Sequence, residues 1–297
     1  MRNIYDCFGN DGLGLGRGHA LDIPCKNGFI IKKKREGFCP QLTPPQVSGI
    51  TVSMKPIIVI PARLASTRLP RKPLAEIGGR TMIEQVALRA VESGLGRVVI
   101  AAADQEIIDA VKCVSGVEAV LTDPALPSGS DRVYAALREI DPAGEHDVVV
   151  NFQGDLPSMD PEALRSVMVP VKHGAFDIGT LVAPIHLDEE LRASQIVKVA
   201  CSFDDGPVAR GVYFSRQPIP FGPGAHWHHI GVYAWQRRAL ERFVSLPPSG
   251  LERRESLEQL RALEHGISIG CVKIAEAPRG VDTAEDLAFV RKAFTCQ

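Results

Sequence analysis

Four consecutive branched apolar residues, Ile57 to Ile60 within KPIIVIPA (55–62), constrain the fold of this chain more than any other feature. A strand with one wet face alternates apolar and polar residues, so an unbroken Ile/Val run of strand length must be buried on both faces. The pattern recurs in RVVIAAA (97–103), VEAVLT (117–122) and DVVVNFQGD (147–155). Between the early runs lie TMIEQVALRAVESGL (81–95) and EIIDAVKCV (106–114), which read as amphipathic helices. Strands alternating with helices predict a parallel sheet covered on both faces, a three-layer α/β fold. In open sheets of this kind, ligands bind beyond the carboxyl ends of the strands.

The second half is looser. IGTLVAPI (178–185), IVKVACSF (196–203), VYFSR (212–216) and HHIGVYAW (228–235) read as strands separated by Pro and Gly turns, some of them antiparallel, so the sheet is mixed but mostly parallel. LERRESLEQLRALEHG (251–266) reads as helix, ISIGCVKI (267–274) as a strand, and a closing helix starts near Thr283. There is no internal repeat.

Residues 1–53 do not share this pattern. They hold eight of the 27 Gly and seven basic against four acidic residues, without helical or strand periodicity. Asp6, Asp11, Asp22 and Glu36 are out of place in a transit peptide, no apolar core marks a secretory signal, and Gly12, Gly14, Gly16 and Gly18 follow no strand that would make them a phosphate loop. The segment is expected to be a disordered extension, with Met54 the true start and 54–297 the folded domain.

Across the 297 residues, 34 Lys and Arg balance 35 Asp and Glu. Such a balance argues against nucleic acid as the main partner, because duplex binding needs a basic face that displaces counterions. No stretch approaches the ~20 apolar residues of a membrane span. The seven Cys are scattered without a C-x-x-C pair, which fits free thiols in a reducing cytoplasm. His226, Trp227, His228 and His229 invite a metal reading, but in a strand His226 and His228 face opposite His229, too few ligands for zinc.

The loop after the first strand, ARLASTRLPRKPLAEIGG (62–79), carries Arg63, Arg68 and Lys72 with small residues between. Cations and free backbone amides at the end of a parallel strand suit a triphosphate, although a solvated basic loop has the same composition. Asp155 follows a buried strand, and Asp282 stands between a strand and a helix. Asp282 can be a plain N-cap with an acid at the third helical position; alternatively both carboxylates meet at the sheet edge and share Mg²⁺, which takes one or two carboxylates plus substrate phosphates. Glu252, Glu255 and Glu258 share one helix with Arg neighbours, as an ordinary acidic face would.

These segments, in order, closely resemble the 3-deoxy-manno-octulosonate cytidylyltransferase (CMP-Kdo synthetase) family: IPARLASTRLPRKPL, PSGSDR (127–132), NFQGDLP (151–157), VYFSRQPIP (212–220), HIGVYAW (229–235), SLEQLRALEHG (256–266) and GVDTAEDL (280–287). The resemblance implies a nucleotide-diphospho-sugar transferase type of fold, a cytoplasmic homodimer, and transfer of CMP from CTP to the eight-carbon acid sugar Kdo for lipopolysaccharide synthesis. Carried over by motif, Arg63, Arg68 and Lys72 would hold the triphosphate as catalytic groups. Ser128, Gly129 and Asp155 would also contact the nucleotide. Gln153, Arg216, His229, Glu252 and Glu255 would contact the sugar, with Arg216 on its carboxylate, and Asp155 and Asp282 would bind Mg²⁺.

The sequence departs from the family at Leu156, where Glu is usual, at Ser130 for Thr, at Pro127 for Gln or His, and at Ala102, Ala103, Asp104 for an Ala-Thr-Asp string. Transfer to 8-amino-Kdo or to another acid sugar is the nearest alternative. A nucleotide-sugar-dependent glycosyltransferase and a regulatory protein without turnover are the more distant ones.

Overall fold

The computed structural model describes residues 54–66, 68–204 and 206–295, so the expectations for 1–53 lie outside the described residues. The first half runs β1 (Pro56–Ala62), a two-stranded ribbon of β2 (Glu76–Ile77) and β3 (Arg80–Thr81), α1 (Met82–Ser93), β4 (Arg97–Ala102), α2 (Gln105–Val111), β5 (Val117–Leu121), α3 (Gly129–Ile140) and β6 (Val148–Asn151). The second half contains α4 (Pro161–Ser166), β7 (Ile178–Pro184), α5 (Asp188–Arg192), β8 (Lys198–Ala200), β9 (Val208–Arg210), β10 (Tyr213–Ser215) and β11 (Trp227–Gln236). It closes with α6 (Arg237–Val244), α7 (Gly250–Glu255), α8 (Gln259–Glu264), β12 (Ile269–Lys273) and α9 (Ala284–Thr295).

One ten-stranded sheet organises these elements in the order β5-β4-β1-β6-β11-β7-β12-β9, with β8 on β11 and β10 on β8. β1 pairs in parallel with β4 and β6, and β4 with β5. β11 enters antiparallel between β6 and β7, while β7 and β12 are again parallel, so the sheet is mixed and mostly parallel in its first half. The Ile/Val run of β1 explains the central position of that strand. Ile58 and Ile60 enter one core with Ile83 and Val86 of α1, Leu164 of α4 and Val290 of α9; Ile57 and Val59 enter another with Val133 and Leu137 of α3 and Leu240 of α6. All four are fully buried, each contributing about 1.5–3 kcal/mol of apolar burial.

Local chemistry sets the helix ends. Thr81 and Glu84 form a reciprocal capping box at the start of α1, and Gly94 ends it in the left-handed conformation at φ 62°. PSGSDR is not a loop throughout: Ser128 is the N-cap of α3, and Gly129 to Arg132 form its first turn. The expected helix over 251–266 is broken into α7 and α8, because Ser256 adopts a left-handed φ of 55°. That turn sends Leu257 and Leu260 into the core while Glu255 stays against β10, which one straight helix could not do.

Candidate active site

Beyond the carboxyl ends of β1 and β6 lies a cleft of about 400 Å³. The loop after β1 supplies Arg63, Ser66, Arg68 and Lys72; the start of α3 supplies Ser128, Gly129 and Arg132; the loop after β6 supplies Gln153, Gly154 and Asp155; and Asp282 closes the far wall. Two anchors shape the first loop. Asp104 accepts a hydrogen bond from the Leu64 amide at 2.8 Å, and the Ala103 amide donates to Ala62 O at 2.9 Å. Gly154 allows a close approach of the two loops, since a Cβ there would lie 3.1 Å from Pro61 O.

Lys72 is the hub of the charged wall. Its Nζ donates to Asp155 Oδ2 at 2.9 Å and to Asp282 Oδ1 at 3.0 Å, and Arg68 Nη2 reaches the same Asp282 oxygen at 3.2 Å. Burial pulls the Lys72 pKa down, but Asp155 and Asp282 outweigh it and hold the ammonium above its usual value. Asp282 is not the cap of α9. Thr283 Oγ1 accepts from the Asp286 amide at 3.2 Å, and the Asp286 carboxylate takes the Thr283 amide at 3.1 Å and hydroxyl at 2.8 Å. Thr283 and Asp286 thus do the capping one residue later than expected, which leaves Asp282 turned to the cleft. The loops are tied by Val281 N donating to Asp155 O at 3.0 Å, with Leu156 buried beneath Gly280.

Arg132 and Arg63 add two further cations to the lining. Arg132 Nη1 donates to Thr122 Oγ1 at 2.6 Å and to Asp123 O at 3.0 Å. Burial lowers its pKa, and the nearby Arg63 lowers it further. Arg63 makes no salt bridge among the described residues. Two like charges lining one cleft, neither in a salt bridge among the described residues, favour a polyanionic occupant. Arg132, within PSGSDR, carries no role legible from the motif alone; its position four residues after Ser128 on a helix, hence on the same face, was the available signal.

Eight of the expected site residues therefore meet in one cleft: Arg63, Arg68, Lys72, Ser128, Gly129, Gln153, Asp155 and Asp282. The remaining four sit elsewhere. Arg216 spends its guanidinium on carbonyls, with Nε on Glu255 O at 2.9 Å and the two Nη on Ser194 O and Ser256 O. Glu255 accepts from Ser215 Oγ at 2.9 Å and from the Arg216 amide at 3.1 Å. Glu252 caps its own helix and pairs with Arg261 at 2.5 Å. His229 is buried, its Nε2 3.1 Å from Thr180 Oγ1 and its ring between Phe214 and Tyr233.

A cytidylyltransferase family model matches residues 57–269. A 3-deoxy-manno-octulosonate cytidylyltransferase of Parvibaculum lavamentivorans is 54% identical over 238 residues, 80% of this chain and 92% of the relative. The chain belongs to the 3-deoxy-manno-octulosonate cytidylyltransferase family. A second member, from Rhodospirillum rubrum, is 53% identical over 80% of this chain and 94% of its own. The solved structure of a CMP:2-keto-3-deoxy-manno-octonic acid synthetase complexed with CTP superimposes with a TM-score of 0.74 at 35% identity, covering 82% of this chain and 99% of that one. An apo UDP-glucose pyrophosphorylase shares the fold at a TM-score of 0.59 and 13% identity, over 82% of this chain and 99% of that one. The fold is thus of the nucleotide-diphospho-sugar transferase type.

Proposed function

We propose that the protein transfers CMP from CTP to 3-deoxy-D-manno-octulosonate, releasing pyrophosphate and forming CMP-Kdo. The observation that carries this reading is the cleft itself, which brings Arg63 and Arg132 together with the Lys72, Asp155 and Asp282 cluster at the carboxyl ends of β1 and β6. The anomeric hydroxyl of the sugar attacks the α-phosphorus as the bond to pyrophosphate breaks, and the hydroxyl proton leaves to solvent. Arg63, Arg68 and Lys72 hold the triphosphate in line and neutralise charge gathering on its oxygens, while Ser128 and Gly129 at the start of α3 lie against the nucleoside. Positioning and electrostatics account for the rate, as is general for phosphoryl transfer.

The chemistry of the donor set fits Mg²⁺. Asp155 Oδ2 and Asp282 Oδ1 lie 2.9 and 3.0 Å from the Lys72 ammonium, so two hard carboxylate oxygens stand together at the cleft, and Lys72 would have to share or release them for Mg²⁺ to be held. No group of three or more His, Cys, Asp and Glu that could hold a metal is present among the described residues. Held by these two carboxylates, Mg²⁺ would supply charge neutralisation and orientation of the phosphate oxygens.

The resemblance alone assigns the sugar side to Gln153, which lines the cleft, and to His229, Arg216, Glu252 and Glu255, whose polar groups are engaged by protein partners. A cytoplasmic homodimer feeding lipopolysaccharide synthesis completes the proposal. No helix among the described residues is long and apolar enough to cross a membrane.

The test is pyrophosphate release with CTP and Mg²⁺, comparing Kdo, 8-amino-Kdo, a sialic acid and no sugar. Release with Kdo, its loss on chelation, and a drop of at least about a hundredfold in kcat for Asp155→Asn and for Asp282→Asn are expected. Release only with another sugar would move the enzyme to another pathway. Silence with all three despite CTP binding would overturn catalysis altogether, and full activity in both Asp variants would overturn the metal assignment.

A further inference from the structure

Thr180 stands on β7 with no exposure at all, opposite a bulge in β11. The pairing of these strands runs from Ile230 with Leu181 directly to Tyr233 with Thr180, so Gly231 and Val232 are extra residues on the β11 side. The bulge turns two carbonyls toward one hydroxyl: Thr180 Oγ1 lies 3.1 Å from Ile230 O and 2.9 Å from Val232 O. Its third neighbour is His229 Nε2 at 3.1 Å.

Counting protons settles the roles. A hydroxyl has one proton and two lone pairs, and a carbonyl can only accept. The Thr180 proton therefore goes to the bulge carbonyls. If Nε2 were also a lone pair, the Thr180 oxygen would face three acceptors with one proton in a site removed from water, which leaves buried acceptors unsatisfied. With a proton on Nε2 the ring donates to a Thr180 lone pair, and the single hydroxyl proton stays free for the bulge carbonyls, shared between them or given to one. Burial, with a smaller contribution from His228, depresses the His229 pKa to about 3, so the ring is neutral and carries a single proton. Nδ1 is then a lone pair, and no hydrogen bond to it from the protein is present among the described residues. The ring is held by Phe214, edge-on at 4.8 Å between centroids, and by Tyr233 at 5.5 Å. The same bulge reaches the cleft, because a Cβ on Gly231 would stand 3.7 Å from Gln153 Cγ.

We propose that Thr180 is a positioning residue that fixes His229 as the Nε2–H tautomer, so that the ring offers Nδ1 as an acceptor for a hydroxyl of the acid sugar. The sugar half of this inference rests on the function proposed above; the tautomer half does not.

Two readouts test it. In ligand-free, ¹⁵N-labelled enzyme, long-range ¹H–¹⁵N correlation, with His229 assigned against His229→Gln, should show a protonated Nε2 and a pyridine-like Nδ1. Thr180→Val should change that pattern and Thr180→Ser should restore it. In steady state, Thr180→Val should raise the KM for Kdo about tenfold, the effect of one misplaced hydrogen bond, with the KM for CTP changed by less than about twofold and Thr180→Ser near wild type. A wild-type ring protonated on Nδ1 overturns the proposal even if Thr180→Val fails to fold. So does a Thr180→Val enzyme with unchanged ring spectrum and sugar KM, or one in which both KM values rise alike. Absence of turnover with every acid sugar would overturn the proposed function and the sugar half together, while the spectrum would still decide the tautomer.

Discussion

Replacing Glu252 by Ala separates two roles that the sequence could not distinguish. In the structure its carboxylate accepts from Arg261 Nε at 2.8 Å, from Arg261 Nη2 at 2.5 Å and from the Ser249 amide at 2.9 Å. The side chains of Arg261 and Glu252 are only 7% and 13% exposed, and the guanidinium sits 4.6 Å above the Phe243 ring. Removing the carboxylate leaves a buried guanidinium with only Glu258, 4.0 Å away, as a carboxylate partner, which costs up to about 3–5 kcal/mol. For a domain of this size that lowers Tm by up to about 6–20 °C, since each kcal/mol is worth about 2–4 °C. Circular-dichroism melting measures the fall, and a Glu252→Met, Arg261→Met double variant should recover most of it because no charge is left unpaired. The pH dependence has a definite sign. Burial opposes ionisation of Glu252, but Arg261 and the Ser249 amide hold its pKa below the usual carboxylate range. Its contribution is therefore complete above the unfolded pKa and disappears as pH falls through the lowered folded value, so the difference between wild type and Glu252→Ala should shrink in acid. A Glu252→Ala protein that melts within about 2 °C of wild type while its sugar KM rises would refute this reasoning and make Glu252 a ligand group alone.

Two further outcomes follow from the same kind of argument. Asp141 is 4% exposed; burial opposes its charge, yet the amides of His146 and Glu145 and the Arg237 guanidinium lower its pKa from 3.8 to about 2. That shift is worth about 2 kcal/mol, present above pH about 4 and lost as pH falls toward 2, so Asp141→Asn should flatten the acid limb of urea-measured stability, and an unchanged limb would contradict it. Arg63→Met should raise the KM for CTP at least about tenfold with Tm nearly unchanged, because no salt bridge holds Arg63 among the described residues; a large loss of Tm would show a structural role instead.

Much of the fold was legible because its signals are local. A fully apolar strand such as Ile57 to Ile60 carries its own burial on both faces, and the helix of 82–93 shows its periodicity and its Thr81 and Glu84 box in consecutive residues. The break in 251–266 was not legible, since Glu252, Glu255 and Glu258 keep a helical spacing across Ser256 and only the packing of Leu257 and Leu260 forces the turn. The short β9 of Val208–Arg210 escaped for a similar reason, being a three-residue edge with too few positions to show a period.

The site divides in the same way. Sequence order alone set Arg63, Arg68 and Lys72 after the first strand and Asp155 after another central strand, because in parallel sheets chain direction fixes which end of the strands a loop occupies. It did not say whether Asp282 caps a helix or faces a ligand. That was decided by Thr283 and Asp286, which take the cap and leave the carboxylate to Lys72, 210 positions away in the chain. Nor could it choose the partner of Glu252 or the tautomer of His229, which depend on Arg261 and on a bulge opposite Thr180. Periodicity is a property of neighbours along the chain and survives in a string of letters. The charge, proton and partner of a buried polar group are set by atoms that only the folded topology brings within hydrogen-bond reach.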